Sequence, residues 1–236
     1  AGYRLAKRLG HSVTDLLLPA LVPLRLADGH FLRGLPGLAA PATVEVRGAT
    51  GRRLITLTGD TLCTHFGLSG PAILDVSRHL LVARAADPAA GLVLNWLPGT
   101  STESLDERLR TLGAATPVRL LQAEMPERLA RALCAAAGVD PATPGHRLPR
   151  EGRRALARAV THLAVPVVGD TGFDFAEVTA GGVPLRELDL ATLESRACPG
   201  LFVCGEICDV DGRIGGFNFQ WAWASGYVAG VAAGAA

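Results

Sequence analysis

Lysine is almost missing from this chain: Lys7 is the only one among 23 basic residues. With 38 alanines beside the arginines, that skew reads as a coding bias, not a functional signal. Aromatic residues are 5% of the chain, and Met125 is its one methionine. An excess of charge is missing too. Lys+Arg at 23 against Asp+Glu at 22 leaves +1. Without a basic surplus to neutralise phosphates, nucleic acid is not expected as the main partner. The five cysteines, Cys63, Cys134, Cys198, Cys204 and Cys208, contain no CxxC pair and have no histidine at a ligand spacing. This argues against a disulfide framework and a zinc site, and it makes a reducing cytoplasm the default expectation. No charged segment followed by an apolar run opens the chain, so no signal peptide is visible. The chain starts Ala1-Gly2-Tyr3 without Met and enters a helical pattern at once. It reads as the C-terminal part of a longer protein.

What is present is ample core material: 49% of 236 residues are hydrophobic, enough for one large domain or two small ones. Three textures follow one another. Residues 1 to about 20 are a helix ending near Gly10 and a turn. Residues about 21–98 carry strand signals at Val22–Leu26, Thr43–Arg47, Arg53–Thr58 and Leu92–Trp96, with Gly48-Ala49-Thr50-Gly51 as a hairpin loop. They suggest a small antiparallel sheet or barrel. Residues about 101–163 are helical. A capping box at Ser104–Glu107 starts one helix, Pro126 starts a second, and a third runs from Arg150 to Leu163 with solvated arginine faces.

From about residue 166 short apolar runs alternate with glycine: Ala176–Val183 and Gly200–Glu206 fit buried strands of an α/β sheet. The last 22 residues, Gly215–Ala236, carry no charge. At that length a membrane span has to be considered. Asn218, Gln220, Ser225 and five glycines, with no basic flank after them, favour a buried helix instead. Gly226, Gly230 and Gly234 would form a flat stripe that packs on a sheet.

The most informative stretch is Leu201–Gly230: strand, glycine-bearing loop, helix. This order sets free N–H groups of a helix N-terminus at a strand's carboxyl end, where α/β sheets bind ligands. Gly215 and Gly216 remove side chains where a flat ligand could approach, and the positive helix end favours one that develops negative charge. A reduced flavin fits, with Glu206 accepting from ribityl hydroxyls. A plain turn with an exposed acid fits the same residues. Asp209-Val210-Asp211-Gly212 hints at a calcium loop, but Gln220 stands where the twelfth position needs Glu.

The run Gly200–Ala222, with Gly205-Glu206 and Gly215-Gly216-Phe217-Asn218 at its heart, resembles the C-terminal flavin motif of a bacterial family of FAD-dependent oxidoreductases. The family is described as aminoacetone oxidase-like and 3-dehydro-bile-acid reductase-like. Thr64–Leu74, Ala176–Val183 and Leu193–Arg196 agree in order along the chain. The resemblance implies an α/β fold: a partial FAD/NAD(P)-binding Rossmann-like domain interrupted by an inserted domain with an antiparallel β part and a helical part. Residues 1–20 and 166–236 would be the FAD-domain segments and 21–165 the insert. It implies FAD as cofactor, NAD(P)H as a candidate electron donor, a small-molecule substrate, and no membrane. Gly205, Glu206, Asp209, Gly215, Gly216, Phe217, Asn218, Gln220, Thr179, Gly181 and Gly182 would face the cofactor. His65 and Ser69 would face the substrate side; a structural histidine is the simpler reading of His65. No catalytic residue is assigned.

The family's opening GxGxxG turn occurs nowhere in these 236 residues. The chain alone is therefore expected to bind FAD weakly or not at all. Two functions fit: a flavin-dependent oxidoreductase, or a non-catalytic remnant serving as a scaffold or partner surface.

Overall fold

The computed structural model describes residues 1–235. The chain forms two compact units, Ala1–Val22 with Gly172–Ala236, and Pro23–Thr171 between them.

The first unit begins with α1 (Gly2–Arg8) and β1 (Leu18–Ala20). The second unit then builds β2 (Leu24–Leu26), β3 (Ala39–Arg47), β4 (Arg53–Cys63), β5 (Gly67–Ser69), α2 (Pro71–Ala86) and β6 (Gly91–Asn95). Four helices follow, α3 (Thr102–Arg110), α4 (Pro117–Leu121), α5 (Glu127–Ala136) and α6 (Arg150–Thr161), and then β7 (Leu163–Val165) and β8 (Val167–Asp170). Back in the first unit come β9 (Val178–Ala180) and α7 (Phe217–Ala235).

Alternation shapes the second unit. Along β3 the buried residues Ala40, Ala42, Val44 and Val46 occur at every second position, as a sheet with one covered face requires. The sheet has seven strands in the order β7-β6-β3-β4-β5-β2-β8, with antiparallel pairing throughout. The turn Gly48–Gly51 joins β3 to β4, as the hairpin reading anticipated. Ile73, Val76 and Leu80 of α2, Leu105 and Leu109 of α3, Leu129 and Leu133 of α5, and Leu156 and Val160 of α6 are fully buried in the same core. Each such side chain contributes about 1.5–3 kcal/mol of burial.

Three local expectations change here. The cap of α3 is Ser101, whose Oγ accepts from the Ser104 amide at 3.1 Å; Ser104 itself is inside the helix. The third helix stops at Thr161, and Leu163–Val165 pairs with β6 as a strand. Helix α2 lay unread behind its motif, because Gly70-Pro71 starts it without a side-chain cap.

The first unit departs further. β1 and β9 make a two-stranded antiparallel ribbon. Residues 201–206 are not a strand: Phe202 makes one isolated bridge to Glu194, and Gly205–Ile207 turns as a 3-10 helix. Glycine at 205, with φ of 77°, takes the chain into that turn. The buried-helix expectation for α7 is overturned as well. Only Ser225 and Ala229 are buried, and Phe219, Trp223 and Tyr227 are 67%, 69% and 75% exposed. Nothing stands within 4 Å of a Cβ placed on Gly226, Gly230 or Gly234, so that stripe packs on nothing among the described residues. Among the described residues no helix is long and apolar enough to cross a membrane.

Candidate functional site

The site lies in the first unit, where the Gly205–Ile207 turn meets the start of α7. Two side chains of α7, one turn apart, take both backbone groups of Gly205. Its N–H donates to Ser225 Oγ at 3.0 Å, and its carbonyl accepts from Trp221 Nε1–H at 3.0 Å. The loop ahead of the helix is tied by Asn218. Its Oδ1 accepts the Gly212 N–H at 2.8 Å, and its Nδ2 donates to the Gly212 carbonyl at 3.1 Å. A two-bond clamp from inside the first turn fixes how the loop enters the helix.

Between these ties opens a cleft of about 410 Å³. Glu206, Arg213, Gly215, Gly216, Asn218 and Trp221 line it, with Leu21 and Val178 adding apolar wall. Gly215 and Gly216 have φ of 116° and 88°, which side-chain-bearing residues rarely adopt. A Cβ on Gly216 would meet nothing within 4 Å, so this wall is bare backbone facing open space. The first turn of α7 carries no acid to cancel its positive end. The Arg213 guanidinium lies 4.7 Å from the Phe217 ring centroid, which holds a cation beside the loop.

Glu206 Oε1 accepts from the Thr179 amide at 2.9 Å, so this exposed carboxylate has one oxygen committed to β9. Tyr3 is its neighbour: burial raises the Tyr3 hydroxyl pKa above its ordinary value, and the Glu206 carboxylate adds to the rise. Burial pushes the Cys208 thiol up to about 11, with Cys204 contributing.

The expected residues separate into three groups. Glu206, Gly215, Gly216 and Asn218 come together in the cleft. Gly205 and Thr179 hold it from behind, while Asp209, Phe217 and Gln220 stand outside its lining. Gly181 and Gly182 have another use. Cβ atoms there would lie 2.2 Å from the Leu16 carbonyl oxygen and 2.5 Å from that of Ile207, so their bareness lets three backbone stretches touch. His65 and Ser69 belong to the second unit. His65 is exposed, with its carbonyl accepting from Arg33 Nε–H at 3.0 Å, and Ser69 ends β5. Sequence reasoning missed Arg213, Trp221 and Leu21 as cleft residues. The first two sit within the motif that drew attention to this loop; Leu21 carries no such signal. All five cysteines are free, and no group of metal-ligating side chains occurs among the described residues.

Comparison with known proteins places the chain. The family model described as the HI0933-like protein Rossmann domain matches residues 1–232. The 3-dehydro-bile acid delta(4,6)-reductase of Clostridium scindens is 32% identical over 99% of this chain and 57% of its own length. The ribosomal RNA dihydrouridine synthases of Escherichia coli and Haemophilus influenzae are 34% and 29% identical, each over 96% of this chain and 54% of their own length. The chain thus spans a little over half the length of these relatives.

Proposed function

Because the chain belongs to the HI0933-like family of Rossmann-domain proteins, we propose that its first unit supplies the ring-binding face of an FAD site in an oxidoreductase. In this reading Ala1–Val22 and Gly172–Ala236 are FAD-domain segments, and Pro23–Thr171 is an inserted domain. The observation that carries it is the meeting of Glu206, Gly215, Gly216 and Asn218 in one cleft at the start of α7.

The residues suit the group. Bare backbone at Gly215-Gly216 accepts a flat ring edge, and the volume falls within the range of small-molecule sites. Bound FAD would supply hydride chemistry; the chain supplies position and electrostatics. The first N–H groups of α7 have no intrahelical partner and would meet charge at the pyrimidine edge, worth about 0.3–2 kcal/mol. The second oxygen of Glu206 would accept from ribityl hydroxyls. Trp221, Val178 and Leu21 would keep water from the ring.

Both kinds of relative point to one reaction type. A 3-dehydro bile acid with Δ4,6 unsaturation and a uracil base each offer a carbon–carbon double bond conjugated with a carbonyl; one relative is named as a reductase of the first, and the other is named for the saturated form of the second. We assign this chain to that class: addition of a hydride and a proton across an activated C=C bond.

The test is an FAD titration followed at the flavin band, with Gly216→Val beside the parent chain. The parent should perturb the band with weak, saturable affinity, and Gly216→Val should abolish the change by placing an isopropyl group in the cleft. Equal titrations would overturn the reading and leave the scaffold alternative.

A further inference from the structure

The near-neutral total conceals an uneven distribution of charge. Pro23–Thr171 carries 17 arginines against 13 carboxylates, whereas the other unit has six basic residues against nine carboxylates. Within the positive unit four helical arginines are matched by carboxylates. Arg110 pairs with Glu107, Arg131 with Glu127, Arg153 with Asp106 at 2.7 Å each, and Arg108 with Glu124. Arg119 of α4 and Arg128 of α5 stand exposed outside any ion pair, and helix α6 gathers three more such arginines on one face. Its inner face, Leu156, Ala157, Val160 and Thr161, is buried. Its outer face carries Arg150, Arg154 and Arg158 at i, i+4, i+8, all exposed and none with a hydrogen-bond or ion-pair partner.

We infer that this ridge is a docking surface for the phosphodiester backbone of an RNA strand. Three guanidinium groups one helical turn apart, about 6 Å, make a linear array of bidentate phosphate donors. Two carboxylates border the depression that Arg154 and Arg158 share, Glu103 and Asp106. Asp106 is committed to Arg153, so the depression keeps a positive excess. The exposed residues between the arginines are Glu151 and Ala155, which offer nothing to insert into a lipid surface. A backbone of regularly spaced phosphates needs no such insertion, and two relatives carry an RNA in their names. Calling that RNA a substrate rests on the reading above; the ridge does not.

The measurement is fluorescence anisotropy of a labelled 20-nucleotide oligouridylate with the whole chain, without flavin, across a salt series. Binding should weaken with salt at a log–log slope near −2, about 0.7 for each of three phosphates. Arg150→Gln, Arg154→Gln and Arg158→Gln should each remove about 0.7 of that slope. The triple variant should bind at least tenfold more weakly. Changing the matched arginines Arg108, Arg110 and Arg131 to Gln should leave affinity within about twofold. Singles indistinguishable from the parent, or an equal loss in the matched set, would overturn the inference. So would phosphatidylserine vesicles that bind the parent tightly and depend on the same three arginines. Gly216→Val should bind the oligonucleotide normally, which keeps a failure here distinct from a failure of the flavin site.

Discussion

The Thr179 amide donates to Glu206 Oε1 at 2.9 Å, so the acid at the mouth of the cleft is also the acceptor that joins the Gly205–Ile207 turn to β9. The two duties can be separated. Glu206→Gln keeps a carbonyl oxygen for the Thr179 amide and a polar tip for a ribityl chain. Glu206→Ala keeps neither. The alanine variant should lose about 0.5–1.5 kcal/mol in urea denaturation and about tenfold in FAD affinity, equivalent to roughly 1.4 kcal/mol. The glutamine variant should stay near the parent in stability. Equal losses from both would show that charge, not the shared acceptor, is what matters.

Glycines that look alike in sequence should respond oppositely to alanine. Gly182 donates to Thr14 Oγ1 at 2.8 Å and receives the Thr14 amide at 2.9 Å, and its Cβ would lie 2.7 Å from the Cys208 carbonyl carbon. Gly182→Ala has to push two backbone segments apart and should cost about 3 kcal/mol or more. Gly226 sits inside α7 with nothing within 4 Å of a Cβ. Gly226→Ala should stabilise by about 0.5–1 kcal/mol through helix propensity alone. Thermal unfolding of the two variants checks the sign of each.

Acid should weaken the first unit through Glu187. Burial alone would raise its carboxyl pKa, but the Ser12 hydroxyl and amide and the His11 ring outweigh that and hold it below the ordinary 4.5. His11 Nδ1 is 2.9 Å from Glu187 Oε2, and the ring is fully buried. The folded-state pKa is depressed, so this stabilisation is complete above about 4.5 and is lost as pH falls through the lower folded value. Glu187→Gln should therefore cost stability at pH 7, and its difference from the parent should shrink steadily below pH 4.5. A constant difference across that range would assign the loss to packing.

The second unit was legible because its signals are periodic. Alternation along Thr43–Arg47 and the leucines of α3, α5 and α6 repeat over enough residues to fix element and face. The first unit gave less. Val203 and Leu201 read as a buried strand because apolar side chains do pack there, yet their backbone finds only isolated bridges. Composition tracks burial of the side chain; whether a neighbouring strand exists depends on distant chain. The uncharged run of α7 misled in the same way. Its aromatics are exposed here, and local sequence does not say what covers a face. The cleft itself was readable because Glu206, Gly215, Gly216 and Asn218 are close in sequence, and its rear wall was not, because Leu21 arrives from the other end of the chain.

Thiol chemistry offers a reporter for that assembly. Burial pushes Cys63, Cys134 and Cys208 up to about 11, while Cys198 and Cys204 are partly exposed. At pH 8 only about a thousandth of each buried thiol would be thiolate, the reactive form. A chromogenic disulfide reagent should therefore titrate two thiols quickly and three only on unfolding. Cys208 is the informative one. Its Sγ donates to the Val203 carbonyl at 3.7 Å, and it lies directly after the turn that Ser225 and Trp221 hold. Ser225→Ala leaves the Gly205 amide without its acceptor and should cost about 1–3 kcal/mol. If the ties from α7 to Gly205 keep this turn closed, that variant should release a third fast thiol while Cys63 and Cys134 in the other unit stay protected. Unchanged protection of Cys208 would mean that the turn is held by the packing of Leu188, Leu193 and Val203 instead.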